Sequence, residues 1–461
     1  MLISPTRVVA GSRAALPLDD MTPTTLQSRL PWGGRRLAAA QWRSPSLLCD
    51  GAVSSAMLQT TLRDALINFS LLDGRASADL WSPRPLLSKP KPGAVRVPCS
   101  ENALLELQRL YEGSHMQPLV ETMRPIKPRS RRGVEQSRGV AVLVLSDYPN
   151  FFHQMGSVVA TWASMAEAGL TNHDDTHIFL LGNASIVPTS LFWSPGLAAS
   201  PPRFVRSLPP LRPAQYRHVV LAAPATEFWW WNGEPTQRHP MHRTASRCPF
   251  GVAVPDAAHP PGAVWKPDPT DRRALFRPFA ARMHAALLQQ GGMPAAAKVE
   301  AAAAVGGGGP LLLVQRPAGM DRRLLNERGL ANALGEALGP RGPRVQLQNF
   351  GLLSTREQLS LVASATGLVG VHGAGLVWNL FLPEGAVLVE LLNRMGTNEY
   401  YANHCRWTHR PYVVWQNNES SREEAALDGQ GRAMDPFRNH LHADIPEVVR
   451  RVQAILGASN E

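Results

Sequence analysis

The chain has 461 residues, 44% of them hydrophobic, and a formal net charge of +11, which leaves room for two ordinary domains plus extensions. Five of its 47 basic side chains are lysines (Lys89, Lys91, Lys127, Lys266, Lys298) and 42 are arginines, the residue suited to bidentate phosphate contacts. The one short basic block, Arg129 to Arg132, has no interleaved aromatics, which argues against nucleic acid as a partner, and the lack of any run of 18 apolar residues argues against a transmembrane helix or membrane anchor in this chain.

In chain order, residues 1–135 read as a partly disordered N-terminal extension. Pro-rich breaks at Ser82-Pro-Arg-Pro, at Lys89-Pro-Lys-Pro and near Pro125 interrupt it, and it carries a helix or two such as Glu101 to Tyr111. Its first 45 residues hold six arginines and two acids, Asp19 and Asp20, a composition that fits an organelle transit peptide or a plain leader.

The pattern changes at Gly139. "GVAVLVL" is a buried-type strand, followed by a helix from about Phe152 to Ala168, strands at "THIFLLG" and "RHVVLA", and a helix in "DRRALFRPFAARMHAALLQQ". Residues 136–290 thus form a first α/β lobe. The Ala/Gly stretch 291–310 contains four consecutive glycines and reads as a linker. Alternation then resumes over 311–461 with "LLLVQ", a helix near Asp321 to Leu338, "RVQLQNF", a helix near Ser354 to Ser364, "GLVGV", "AVLVELL", "PYVVW" and a helix from Ile445 to Leu456. Alternating strands and helices predict mainly parallel sheets, with ligands outside the carboxyl ends of strands.

Cys49, Cys99, Cys248 and Cys405 form no CxxC pair, which argues against a zinc ribbon, and their even number permits disulfides. Asn68-Phe-Ser, Asn183-Ala-Ser and Asn418-Glu-Ser are glycosylation triplets of a kind that also arises by chance. "NHDDTH" (Asn172 to His177) reads as a solvated turn before a metal cluster, and "FWWWNG" (Phe228 to Gly233) as loop anchors before a sugar platform.

The densest chemical pattern is "VGVHGAGLVWNLFLPEGAVLVELLN", Val369 to Asn393. His372 ends a strand, and Gly373 and Gly375 let a ligand approach the main chain. The helix that follows offers free N–H groups and the positive end of its dipole, a seat for an anion. The same pattern also serves a plain packing turn with a satisfied core histidine. Upstream, "LLLVQRPAGMDRRLLNE" puts Arg316 at a strand end and Arg323 and Asn326 at a helix start, where both arginines can face one polyphosphate or simply be solvated.

With these residues in view, "LLSTREQLSLVASATGLVGVHGAGLVWNLFLPEGAVLVELLN" resembles the signature of glycosyltransferase family 61. The family includes plant β-1,2-xylosyltransferases, xylan-decorating enzymes and animal EGF-domain and dystroglycan N-acetylglucosaminyltransferases. The matching positions are Glu357-Gln358, His372 to Leu376 (with Gly373, Ala374 and Gly375), Asn379, Leu380 to Gly385 and Glu390. The family's Arg-Arg-Asn pattern falls on Arg316, Arg323 and Asn326, and its N-lobe histidine on His153 within "NFFHQMGSVVATWASM". "RCPFGVAVP" (Arg247 to Pro255) is similar to a further family segment.

The resemblance implies a GT-B fold of two Rossmann-like lobes around a cleft. It implies an inverting transfer from a UDP-sugar, xylose or N-acetylglucosamine foremost, to a glycan or glycoprotein hydroxyl. Donor binding would fall to Arg316, Arg323, Asn326, His372, Gly373, Ala374, Gly375, Leu376, Asn379 and Glu390, the last holding ribose hydroxyls. No tightly bound cofactor and no divalent metal are implied, and the compartment would be the Golgi or endoplasmic reticulum lumen. Many members carry a carboxylate four residues after the N-lobe histidine, where this chain has Ser157. Catalysis then falls to His153 as base, to another acid such as Asp147, or is impaired. In that last case the chain is a glycan- or nucleotide-sugar-binding protein.

Overall fold

Continuous apolar runs build two separate sheets. A computed structural model describes residues 46–48, 53–55, 59–72, 90–110, 116–126, 134–145, 150–171, 175–181, 189–208, 213–222, 273–288, 309–395 and 400–458, all within the compact unit Ser44–Glu461. The first sheet has nine strands: β1 (Ser46–Leu48), β2 (Val53–Ser55), β3 (Gln59–Ile67), β4 (Val95–Val97), β5 (Arg124–Pro125), β6 (Glu135–Leu145), β7 (Thr176–Leu181), β8 (Arg203–Phe204) and β9 (Ala214–Ala222). Its spatial order is β1-β2-β3-β9-β6-β7-β8, with β4 beside β3 and β5. β9, β6, β7 and β8 pair in parallel, whereas β3 joins β9 antiparallel. The sheet is therefore mixed.

The second sheet is wholly parallel: β10 (Leu311–Val314), β11 (Val345–Gln348), β12 (Gly367–Val371), β13 (Val387–Leu392) and β14 (Tyr412–Gln416) lie in the order β11-β10-β12-β13-β14. Every residue of β12 and β13 is buried, as expected of parallel strands covered on both faces. A small antiparallel pair, β15 (Glu423–Glu424) and β16 (His440–Leu441), lies outside both sheets.

The α-helices longer than two turns are α1 (Glu101–Leu110), α2 (Phe151–Glu167), α3 (Arg273–Leu288), α4 (Glu327–Leu338), α5 (Thr355–Ala363), α6 (Tyr400–Thr408) and α7 (Ile445–Ala458). α5 starts at a capping box in which the Ser354 hydroxyl accepts from the Glu357 N–H while the Glu357 carboxylate accepts from the Ser354 N–H. α7 sets Val448 and Val452 into the core of the second sheet beside Leu330 and Leu334 of α4. Among the described residues no helix is long and apolar enough to cross a membrane.

Two expectations need correction. A poorly ordered extension up to residue 135 does not describe residues 59–67, 94–110 or 116–123. Leu62, Ala65, Ile67, Val95, Leu107 and Val120 all lie in the core of the first sheet. The alternation of β3 was hidden by Arg63 and Asp64, where the chain takes a left-handed conformation (φ 51° at Asp64) and the ladder with β9 skips a position. A mainly parallel sheet is found only in the second half. Helix α6 was not anticipated, because "YYANHCRWT" shows little apolar periodicity. Residues 1–45, Asp147, Phe228 to Gly233, Arg247 to Pro255 and the linker up to residue 308 lie outside the described residues.

Since Leu62 is fully buried against β9, Leu62→Ala is expected to lower unfolding free energy by about 2–5 kcal/mol in denaturant titration. A loss below about 0.5 kcal/mol, the range of exposed positions, would contradict the placement of β3 in the core.

Candidate functional site

The order of the second sheet reverses between β10 and β12, its topological switch point, where doubly wound sheets open a crevice at their carboxyl ends. Arg316 follows β10 and His372 follows β12. The two meet. A Cβ on Gly373 would collide with the Arg316 guanidinium, so only glycine admits the arginine against the main chain here.

Arg316 Nη1 donates to the carbonyl of Asp321 at 2.7 Å and to its carboxylate at 3.0 Å. That carboxylate is shared, with Arg322 Nε at 3.8 Å from Oδ1 and Arg438 Nη1 at 3.6 Å from Oδ2. Arg322 lies over the Phe437 ring, 5.1 Å from its centroid. Burial pushes the Arg316 guanidinium down to about 10, with the Arg322 charge acting in the same direction and Asp321 opposing. It stays a cation at neutral pH. Three arginines around one acid leave a surplus of positive charge.

His372 is 8% exposed and packs its ring against Tyr401 and Phe437, with centroids at 5.4 and 5.7 Å. Its Nδ1 lies 2.5 Å from Glu390 Oε1, and the Tyr412 hydroxyl donates to Oε2 at 2.6 Å. Burial lowers the affinity of the imidazole for its proton, against the pull of Glu390. The Tyr401 hydroxyl donates to the Gly373 carbonyl at 2.6 Å, fixing the turn from the other side. Burial raises both tyrosine hydroxyls well above their ordinary range, so each remains a donor.

Gly373 leads into a 3-10 helix, Ala374–Phe381. Ala374 and Gly375 are half-buried at its start, whereas Leu376 is fully buried in packing. Asn379, also fully buried, donates to the Leu376 carbonyl at 2.6 Å and lies 3.2 Å from His404 Nδ1. Burial takes His404 down to about 3, so it is neutral. Asn379 therefore braces the turn from within the core.

Several expected ligand contacts are not where the sequence put them. Glu390 has no exposed surface, and its two oxygens bind His372 and Tyr412. It backs the histidine, and its burial keeps it from a ribose. Asn326 bonds both the N–H and the carbonyl of Ala443, at 3.0 and 2.8 Å, tying the start of α4 to the chain before α7. Arg323 lies beside His440, its N–H donating to Nδ1 at 3.2 Å. Arg322 is the arginine whose charge acts on His372 together with Arg316. Adjacent arginines cannot be told apart by spacing, and the left-handed backbone at Arg322 (φ 54°) decides which one joins the cluster.

His153 is half-buried in the first turn of α2, capped by Asn150, whose side chain accepts from the Phe152 N–H at 2.9 Å. Phe152 contacts Tyr400 and Tyr401, and Phe151 stacks on Trp378 at 5.2 Å, so this turn lies against α6 and the 3-10 helix that follows Gly373. Ser157 is 1% exposed and donates to the His153 carbonyl at 3.4 Å. A carboxylate at 157 would be buried in this helix.

Tyr401, Tyr412, Asp321, Arg322, Phe437 and Arg438 were missed. Asp321-Arg322 was legible as charge beside Arg316, whereas Phe437-Arg438 arrives from a remote turn that Asn393 holds by donating to the Pro436 and Phe437 carbonyls at 3.1 and 2.8 Å. Among the described residues no group of three or more His, Cys, Asp or Glu is arranged to hold a metal ion, and His177 pairs with Asp175 at 2.6 Å.

Residues 186–389 match the family described as Glycosyltransferase 61. Over 105 residues the chain is 35% identical to Protein O-linked-mannose beta-1,4-N-acetylglucosaminyltransferase 2 of Xenopus tropicalis, covering 22% of this chain and 18% of that one. The Homo sapiens protein of the same name is 33% identical over 102 residues, covering 21% and 17%. EGF domain-specific O-linked N-acetylglucosamine transferase of Xenopus laevis is 30% identical over 132 residues, covering 29% and 25%. The matched stretch thus spans a quarter or less of the length of these relatives. Arg316 to Asn379 fall inside the family match, Glu390 one residue beyond it, and His153 before it.

Because Asn326 holds Ala443 by two hydrogen bonds, Asn326→Ala is expected to cost about 1–3 kcal/mol of unfolding free energy while leaving anion affinity at Arg316 unchanged. Titration of the folded variant with inorganic pyrophosphate checks the second half, and a loss of affinity comparable to Arg316→Ala would return Asn326 to the ligand site.

Proposed function

From the premise that residues 186–389 belong to glycosyltransferase family 61, we propose that this protein transfers a sugar from a UDP-sugar to a hydroxyl of a glycan or glycoprotein with inversion at the anomeric carbon. N-acetylglucosamine is the first choice of sugar, because the relatives quoted are named for it, with xylose second. The observation that carries the reading is the surplus of arginine charge at the switch point: Arg316, Arg322 and Arg438 face the single carboxylate of Asp321 beside His372.

In the proposed step the acceptor oxygen attacks the anomeric carbon and the bond from that carbon to the diphosphate oxygen breaks. UDP leaves with the electron pair, and the acceptor's proton passes to a base. The arginines and the N–H groups at the start of the Ala374–Phe381 helix offset the charge that grows on the diphosphate. His153, in the helical turn that abuts this region, is the proposed base, histidine being the side chain that accepts protons near neutral pH. No divalent metal enters this reading. A GT-B arrangement, with the first sheet serving the acceptor and the second the donor, is part of the proposal. Cys99 is disulfide-bonded, which suits an oxidising lumen of the secretory pathway.

A second reading, nucleotide-sugar binding without turnover, is favoured by the buried serine at 157 in place of an acid. UDP release measured with and without glycan acceptors separates the two, since a binding protein releases none. Arg316→Ala is expected to weaken UDP binding by about 1.5–3 kcal/mol, and unaltered affinity would remove Arg316 from the donor site. His153→Ala is expected to abolish transfer while UDP binding by calorimetry stays within about twofold, a difference of roughly 0.4 kcal/mol. Full activity of that variant would rule His153 out as the base.

A further inference from the structure

Glu390 has no contact with solvent, and the geometry leaves it one route to any ligand, through the ring of His372. The polar groups that face this ring come from several elements. Glu390 reaches it from β13, Arg316 from the end of β10, Arg322 from the loop beyond, and Tyr401 from α6. Phe437, which is uncharged, packs against the ring as well, and Asp321 and Arg438 pair with or near the arginines. In the free protein, burial and the two guanidinium charges oppose protonation of the imidazole, and Glu390 favours it. An arriving diphosphate offsets the charge of Arg316 and Arg322. The carboxylate of Glu390 then dominates what the ring experiences.

We propose that Glu390 is a positioning residue that makes donor binding proton-linked, holding the imidazole of His372 by Nδ1 and carrying it to the imidazolium form as the diphosphate enters. The inference rests on the reading of this site as a nucleotide-sugar site and adds to it a role for the buried carboxylate. One proton moves from solvent to a ring nitrogen of His372 for each ligand bound, and no bond between heavy atoms is made or broken.

A group that is neutral before binding and protonated after it makes affinity rise as pH falls, by up to about tenfold per pH unit. The window lies between the value of the ring in the complex and its value in the free protein, which burial sets below the ordinary histidine range.

Calorimetric titration with UDP-N-acetylglucosamine, in buffers of different ionisation enthalpy between about pH 5 and 8, reads the proton directly. Its diphosphate is esterified at both ends and does not itself titrate in that range. The wild-type protein is expected to take up a proton fraction that rises toward about one per ligand within the window. Glu390→Gln is expected to lose the uptake and its pH dependence, and to bind roughly tenfold more weakly at the acidic end, the cost of losing one such linkage. Tyr412→Phe removes one donor from the carboxylate, makes it more basic and should move the window to higher pH. A residue that merely filled space would leave the proton count unchanged in either variant.

Uptake in Glu390→Gln equal to wild type overturns the proposal, as does its absence from the wild type. If Glu390→Gln fails to fold, Tyr412→Phe decides alone, and an unmoved window overturns the proposal. Wild-type binding without proton uptake would sink this inference and leave the donor-site reading standing, whereas no binding of UDP-N-acetylglucosamine, UDP-xylose or UDP at any pH would sink both.

Discussion

A buried guanidinium pressed against a main chain without a side chain organises the second half of this protein. Arg316 and Gly373 close the gap between β10 and β12, the neighbouring strands at which the sheet changes direction. Taking a guanidinium out of water is costly unless its donors are met, and Asp321 meets Nη1 with both its carbonyl and its carboxylate. That same carboxylate draws Arg322 and Arg438 toward the same place. The charge that defines the candidate site is thus a consequence of how Arg316 is accommodated.

The helix that begins at Gly373 is held at both ends by different means. At its far end Arg410 donates to the carbonyls of Leu382 and Pro383, at 3.1 and 2.6 Å, where the negative end of the helix dipole lies. Between the ends, Trp378 and Phe381 pack against Phe151, Phe192 and Phe279, side chains contributed by elements that precede the second sheet in the chain. The start of the helix stays beside the arginines while its body is fixed by aromatic packing. A ligand that bound at Gly373 would meet a turn whose position does not depend on the ligand.

How much of this could be read from the sequence varied with the kind of signal. Continuous apolar strands such as Val387–Leu392 declared themselves, because burial on both faces leaves one reading. β3 did not, since a left-handed residue at Asp64 breaks its alternation. At the site, motif spacing located His372, Gly373 and Arg316 and placed them at strand ends. Spacing could not say which way Glu390 pointed. A glutamate on a strand beside a histidine strand is equally compatible with a ribose contact and with the buried pair found here. Nor could it choose between Arg322 and Arg323, neighbours whose directions are set by one backbone angle. Tyr401 and Phe437 arrive from a weakly periodic helix and a remote turn, and neither carries a local pattern.

The arginine-rich composition has a similar double meaning. Arg282 donates to the carbonyls of Thr171, Gly196 and Leu197, and Arg410 to two more, so these cations work as clamps on backbone oxygens. Such clamps take up the donors of the guanidinium and leave little for a ligand. Arg322 has other surroundings. It lies over the Phe437 ring, and its Nε, buried without a hydrogen-bond partner like that of Arg410, is 3.8 Å from a carboxylate already bonded to Arg316. A buried donor left unsatisfied is expensive in the free protein. An anion that enters beside His372 relieves that cost, and with it the mutual repulsion of Arg316 and Arg322. Net charge alone cannot distinguish a clamp from a binding cation, whereas the surroundings can: Arg410 grips backbone carbonyls, and Arg322 shares one carboxylate with two other arginines beside His372.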